Sequence, residues 1–147
     1  METDISIRVM TREDYPAVYK LWKTVPGMGL RSLDDTEQGI TRFLARNPGA
    51  CFVAEAAGEV AGAVLSGYDG RRGYIYHAAV REEYRRRGIG SALVQAVETA
   101  LAGEGITKIA LVAYKTNEAG NRFWEKAGFL PREDLVYRDK SINPENR

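Results

Sequence analysis

Ile5, Ile7 and Val9 alternate with Ser6 and Arg8, the period-two pattern of a strand with one face buried. Thr11 with Asp14 three residues on makes a helix start, and a helix to about Lys23 carries Val18, Leu21 and Trp22 on one face. Pro16 fits such a helix because it falls in the first turns. Val25 to Leu33 contains Pro26, Gly27 and Gly29 and reads as a loop. Asp34 or Asp35 is expected to cap a second helix bearing Ile40, Phe43 and Leu44, ended by Asn47, Pro48 and Gly49.

The pattern then changes to strands. Cys51 to Ala56 and Glu59 to Tyr68 are separated by a turn at Gly58, and a turn at Asp69 to Gly73 leads into a strand from Tyr74 to Val80. After the charged stretch Arg81 to Arg87, Leu93, Val94, Val97 and Leu101 recur at helical spacing in a helix from about Gly88 to Ala102. Lys108 to Tyr114 is short and almost wholly apolar, as in a strand covered on both faces. Asn117 to Lys126 reads as a helix, and Phe129 with the alternating Leu135 and Tyr137 supplies final strands. This order predicts an α/β (α+β) fold, a mixed, mostly antiparallel sheet of about six to seven strands flanked by about four helices.

At 147 residues, without a repeat or a linker, the chain is expected to be one domain, 1–147. The 21 basic and 20 acidic residues leave a formal charge of +1, which disfavours a nucleic-acid partner. Met1 to Asp4 are acidic and the apolar runs are short, so neither a secretory signal nor a membrane span is expected, and the expected location is cytoplasmic. Cys51 is the sole cysteine and reads as a small buried hydrophobe rather than a nucleophile.

Arg85-Arg86-Arg87-Gly88-Ile89-Gly90-Ser91 lies between a strand and a helix. Glycines let the backbone approach a ligand, free amides at a helix start attract an anion, and arginines add phosphate-binding charge. Neither familiar nucleotide motif is present: Leu93 stands where G-x-G-x-x-G needs its last glycine, and no G-x-x-x-x-G-K-[ST] occurs. The string Val80 to Gly90 instead closely resembles the [RQ]-x-x-G-x-[GA] acetyl-CoA signature of the GNAT acetyltransferase superfamily. Asn117 to Phe129 resembles that superfamily's second motif, in which an Asn opens a helix that ends near Gly-Phe.

The resemblance implies strands 74–80 and 108–114 that splay apart to admit the pantetheine arm of acetyl-CoA, a cosubstrate used without a metal. It implies that the amides of Arg87, Gly88, Ile89, Gly90 and Ser91 hold the pyrophosphate, with Arg85 and Arg86 adding charge. Backbone groups of Ala78 and Val80 would pair with the pantetheine amides, and the Val80 amide could face the developing oxyanion. Asn117 would hydrogen-bond the arm, cap its helix, or both.

The implied function is N-acetyl transfer to a primary amine of a small molecule or peptide, by direct attack on the thioester. Family members often place a carboxylate or histidine on the first of these strands as base, or a carboxylate on the next, where Val112 stands here. The first strand offers Tyr74, Tyr76 and His77. His77, with an ordinary pKa of about 6.5, suits proton transfer. On a regular strand, however, it faces away from Tyr76, so the two share a side only if a bulge intervenes. His77 is either the base or structural, and a water relayed by Tyr76 is the other route. Where the family often has a tyrosine acid this chain has Trp124, whose indole cannot give up its proton; it reads as packing beside the cofactor arm. Asp34, Asp35 and Glu37 are candidates to attract a cationic acceptor. A CoA-binding sensor without turnover is the alternative function, and a nucleic-acid reading through Arg71, Arg72, Arg81 and Arg85 to Arg87 is weaker. The subunit number is left open between monomer and homodimer.

Overall fold

The computed structural model describes residues 4–147; the acidic start at Met1 to Thr3 lies outside them. Strand β1 (Ile5–Val9) is followed by one 3-10 turn (Arg12–Asp14), α1 (Tyr15–Lys23), α2 (Glu37–Arg46), β2 (Phe52–Ala56), β3 (Glu59–Tyr68) and β4 (Gly73–Val80). A second 3-10 turn (Glu82–Tyr84), α3 (Ile89–Gly103), β5 (Ile109–Ala110) and α4 (Glu118–Lys126) complete the order. The sheet runs β1-β2-β3-β4-β5, antiparallel through β4 and parallel between β4 and β5.

Helices cover both faces. Ile89, Leu93, Val97 and Leu101 of α3 meet Ala54, Val64 and Ile75 on one, while Val18, Leu21, Trp22 and Ile40 of α1 and α2 meet Val53, Ala63, Leu65 and Ala79 on the other. Gly67 lets α2 lie close, since a Cβ there would stand 2.8 Å from Phe43 and 2.9 Å from Asn47. At the start of α1, Arg8 of β1 grips Asp14 through two nitrogens at 2.7 and 2.8 Å, and Asp14 also accepts the Thr11 amide at 2.8 Å.

Three expectations are corrected. The second helix is capped by Thr36, whose hydroxyl accepts the Gly39 amide at 3.0 Å; Asp35 turns inward instead. The apolar run 108–114 contributes only Ile109 and Ala110 to the sheet, because β4 leaves β5 beyond the pairs Gly73–Ile109 and Tyr74–Ala110. The described residues form five strands rather than six to seven. The alternating Leu135 and Tyr137 have no ladder partner and stay exposed, since period two marks a strand only where a neighbouring edge can take its backbone groups. Pro131, which lacks an amide, further weakens pairing there.

Candidate active site

The pairing of β3 with β4 steps from Ser66–Ile75 to Leu65–His77, leaving Tyr76 unpaired in a bulge. The bulge resets the alternation. Tyr74 and Tyr76 lie with rings 4.6 Å apart, and Tyr76 meets Phe43 of α2; His77 meets Trp22 of α1 at 4.8 Å. The condition on which His77 and Tyr76 could share a face is therefore met. Their surroundings differ sharply. Tyr76 is 54% exposed, whereas the His77 side chain is 10% exposed, with its Nε2 2.9 Å from Asp35 Oδ1. Its Nδ1 is buried without a hydrogen-bond partner. Asp35 Oδ2 accepts the Arg31 amide at 2.6 Å, so this carboxylate is committed inside the protein and does not face an incoming amine. Burial, then the neighbouring Tyr137, push the Tyr74 and Tyr76 hydroxyls above the ordinary tyrosine range.

Downstream of the bulge, the Arg81 amide donates to Ala61 of β3 at 2.7 Å. Because backbone groups alternate along an antiparallel ladder, those of Ala79 share that direction and those of Ala78 and Val80 point to the opposite edge. That edge is open, because β5 has parted from β4 by Ala110. The Val80 carbonyl there accepts the Arg85 Nε at 3.2 Å.

The loop that follows narrows to the start of α3. Arg86 has φ 65° and Gly88 φ 78°, left-handed conformations that glycine adopts without cost and that turn the chain sharply. No hydrogen bond within the described residues uses the amides of Arg87, Gly88, Ile89, Gly90 or Ser91. They collect at the positive end of a 15-residue helix, the arrangement that binds an anion such as a phosphate. The Ile89 side chain is buried in the core and anchors the turn, while Arg87 lies over the Tyr84 ring at 5.4 Å. Gly90 is small for a packing reason as well, since a Cβ there would stand 3.0 Å from the Phe123 ring of α4. Arg81 pairs with Glu59 and Glu83, so the basic run is not a continuous free strip.

Asn117 caps α4 by accepting the Gly120 amide at 3.0 Å, and its Nδ2 makes no bond within the described residues. Trp124 packs edge-on between Phe123 and Phe129 at 5.0 and 5.3 Å, against the α3 side of the core. Sequence reasoning missed the outer face of α4: Ala119, Arg122 and Phe123 line a hollow of about 600 Å³ beside Gly90. Their spacing of three and four residues was the available signal. Among the described residues no three His, Cys, Asp or Glu side chains stand where they could share a metal ion, and no helix is long and apolar enough to cross a membrane.

Residues 15–129 match the model of the acetyltransferase (GNAT) family. An acetyltransferase of Sodalis glossinidius is 36% identical over 138 residues, covering 94% of this chain and 96% of that one. One of Pectobacterium atrosepticum is 38% identical over 122 residues, covering 83% and 85%. Among solved structures, Ard1 from Thermoplasma volcanium has a TM-score of 0.74 at 28% identity, covering 86% of this chain and 82% of its own. An aminoglycoside N-acetyltransferase in complex with CoA has a TM-score of 0.76 at 20% identity, covering 95% and 97%, a likeness of fold. With the bulged, splayed β4 and the glycine turn at α3, these matches make the chain a member of the GNAT acetyltransferase family, an acyl-transferring enzyme.

Proposed function

We propose that the protein is an acetyl-CoA-dependent N-acetyltransferase acting on a primary amine of a small molecule or peptide. The observation that carries this reading is the open edge of β4. There the Ala78 and Val80 backbone groups face a gap that begins beyond Ala110, and the chain runs on from Val80 to the partnerless amides of Arg87 to Ser91. The donor fits that arrangement, because a chain of amides can add to the edge like one more strand partner while its phosphates meet the helix start.

The thioester supplies an acyl carbon open to attack and a thiolate able to leave. The rest falls to the protein. The Val80 amide donates to the carbonyl oxygen where negative charge grows, held in place by the β3 ladder on its other side. Arg85, fixed on the Val80 carbonyl, stiffens the edge and directs its charge toward the phosphates, with Arg86 and Arg87 adding to it. The Nδ2 of Asn117 donates to the arm. Tyr76, exposed at the bulge, holds the acceptor amine through its hydroxyl, and the amine's proton passes to water. His77 is proposed as the residue that braces the bulge rather than the base, because Nε2 is held by Asp35 and Nδ1 is itself buried. Trp124 packs beside the arm, and departure needs no side-chain acid, since a thiol with an ordinary pKa of about 8.5 leaves without one.

Thiol release from acetyl-CoA across a panel of amines tests the reading, with CoA binding followed by calorimetry. Release that depends on the amine supports it. Tight CoA binding with no release from any amine would favour the sensor alternative, for which the missing tyrosine acid is the argument.

A further inference from the structure

Phe43, Tyr68, Tyr74 and Tyr76 line a hollow of about 280 Å³ whose lining also includes Asp69, Arg72 and Ala110. Ala110 and Tyr74 form the last pair before β4 and β5 part, so a molecule lying in the hollow reaches the mouth of the gap. Tyr74 and Tyr76 tilt at 47° to each other and Phe43 stands edge-on to Tyr76 at 5.5 Å, which leaves ring faces and edges available to another ring.

The polar groups around this wall are unequally committed. Asn47 uses its Oδ1 on the Tyr68 amide and its Nδ2 on the Phe43 carbonyl. Asp69 accepts the amides of Arg71 and Arg72 at 2.8 Å each. Asp34, close enough to act on Tyr76 through its charge, accepts the Asn146 side-chain amide at 2.7 Å. The Arg72 guanidinium, by contrast, makes no ion pair among the described residues, and its one bond runs from Nη1 to the Arg71 carbonyl at 3.1 Å. Asp69 keeps its negative charge beside it, so what sets Arg72 apart is not net charge but unused donors, in a group whose planar fork matches a carboxylate.

We propose that this hollow selects the acceptor and takes a small amine carrying an aromatic ring and a carboxylate. The ring lies against Tyr74, Tyr76 and Phe43, the carboxylate meets Arg72, and the amine stands at the mouth of the gap. The proposal rests on the acetyl-transfer reading. It assigns the three acids expected to attract a cation no such role, because Asp35 is buried and neither Asp34 nor Glu37 lines the hollow.

The test is kcat/KM for thiol release from acetyl-CoA with phenylalanine, phenethylamine, an n-alkylamine and putrescine, using the full chain. Phenethylamine is expected to exceed the alkylamine about tenfold, and phenylalanine to exceed phenethylamine about fivefold. Arg72→Gln, an exposed turn position whose fold is checked by a melting curve, is expected to bring the phenylalanine-to-phenethylamine ratio to about one. Tyr74→Ala is expected to remove most of the advantage of phenethylamine over the alkylamine. Equal rates for all four amines, or a preference for putrescine, would overturn the pocket while leaving acetyl transfer standing. Retained CoA binding with no release from any amine would overturn both.

Discussion

His77 Nε2 lies 2.9 Å from Asp35 Oδ1, with Asp35 buried and His77 largely covered. The same aspartate accepts the Arg31 amide through Oδ2, and its backbone carbonyl accepts the Tyr15 hydroxyl, each at 2.6 Å. One residue therefore ties α1, the loop before α2 and the bulge of β4 into a single bonded unit. Asp35→Ala leaves His77 without a partner at either ring nitrogen, and removing one member of a buried bonded pair costs about 3 kcal/mol. Asp35→Asn, which keeps an acceptor, should lose about half as much. Urea unfolding measures both. For His77→Ala the account expects a lower melting temperature and turnover per folded molecule within about fivefold of the parent. A hundredfold fall in kcat with CoA affinity intact would make His77 the base.

Gly90 combines a partnerless amide at the start of α3 with a contact to α4. In Gly90→Asp the Cβ would meet Phe123 at 3.0 Å and a carboxylate would enter beside the phosphates, so CoA affinity should fall by well over tenfold. Unchanged affinity in calorimetry, with the fold intact, would detach the glycine turn from the cofactor.

Trp124 is held edge-on between Phe123 and Phe129. Trp124→Phe keeps most of the ring volume and should cost about 1 kcal/mol of stability while preserving chemistry. A loss of turnover beyond about a thousandfold, with CoA binding intact, would mean that the indole NH stabilises the transition state.

Burial pushes the Cys51 thiol up to about 12, whereas an unfolded cysteine ionises near about 8.5. Below that pH both states keep the proton. Above it only the unfolded chain loses one, so stability falls as pH rises toward about 12, by about 1.4 kcal/mol per pH unit. Between pH 8 and 10 the parent should therefore lose about 2 kcal/mol more than Cys51→Ala in urea unfolding. Parallel profiles would show that the thiol is free to ionise in the folded state.

The helices and β1 were legible because each buries one face, and burial writes its period into the chain: Leu93, Val97 and Leu101 on α3, Ile5 and Ile7 on β1; β2 and β3, buried on both faces, were legible as apolar runs between turns. The glycine turn was legible through its composition. The partner of His77 was not, since Asp35 lies 42 positions away and reads locally as a helix cap. Neither was the bulge at Tyr76, which depends on how β3 and β4 register rather than on any residue type. The apolar run 108–114 and the alternation at Leu135 and Tyr137 overstated the sheet, because periodicity records what a strand could bury and not whether an edge is there to pair with it.

In the proposed mechanism the open edge of β4 holds the thioester through the Val80 amide. Val80→Pro removes that N–H, and Val80→Ala is the control for the lost valine packing, while Ala79 and Arg81 keep the β3 ladder on the other edge. The decisive measurement is kcat/KM for amine-dependent thiol release from acetyl-CoA in the two variants, with their melting curves alongside. A fall on the order of a hundredfold or more is expected in a folded Val80→Pro protein, well beyond that of Val80→Ala. A folded Val80→Pro variant with the parent's kcat/KM would contradict it.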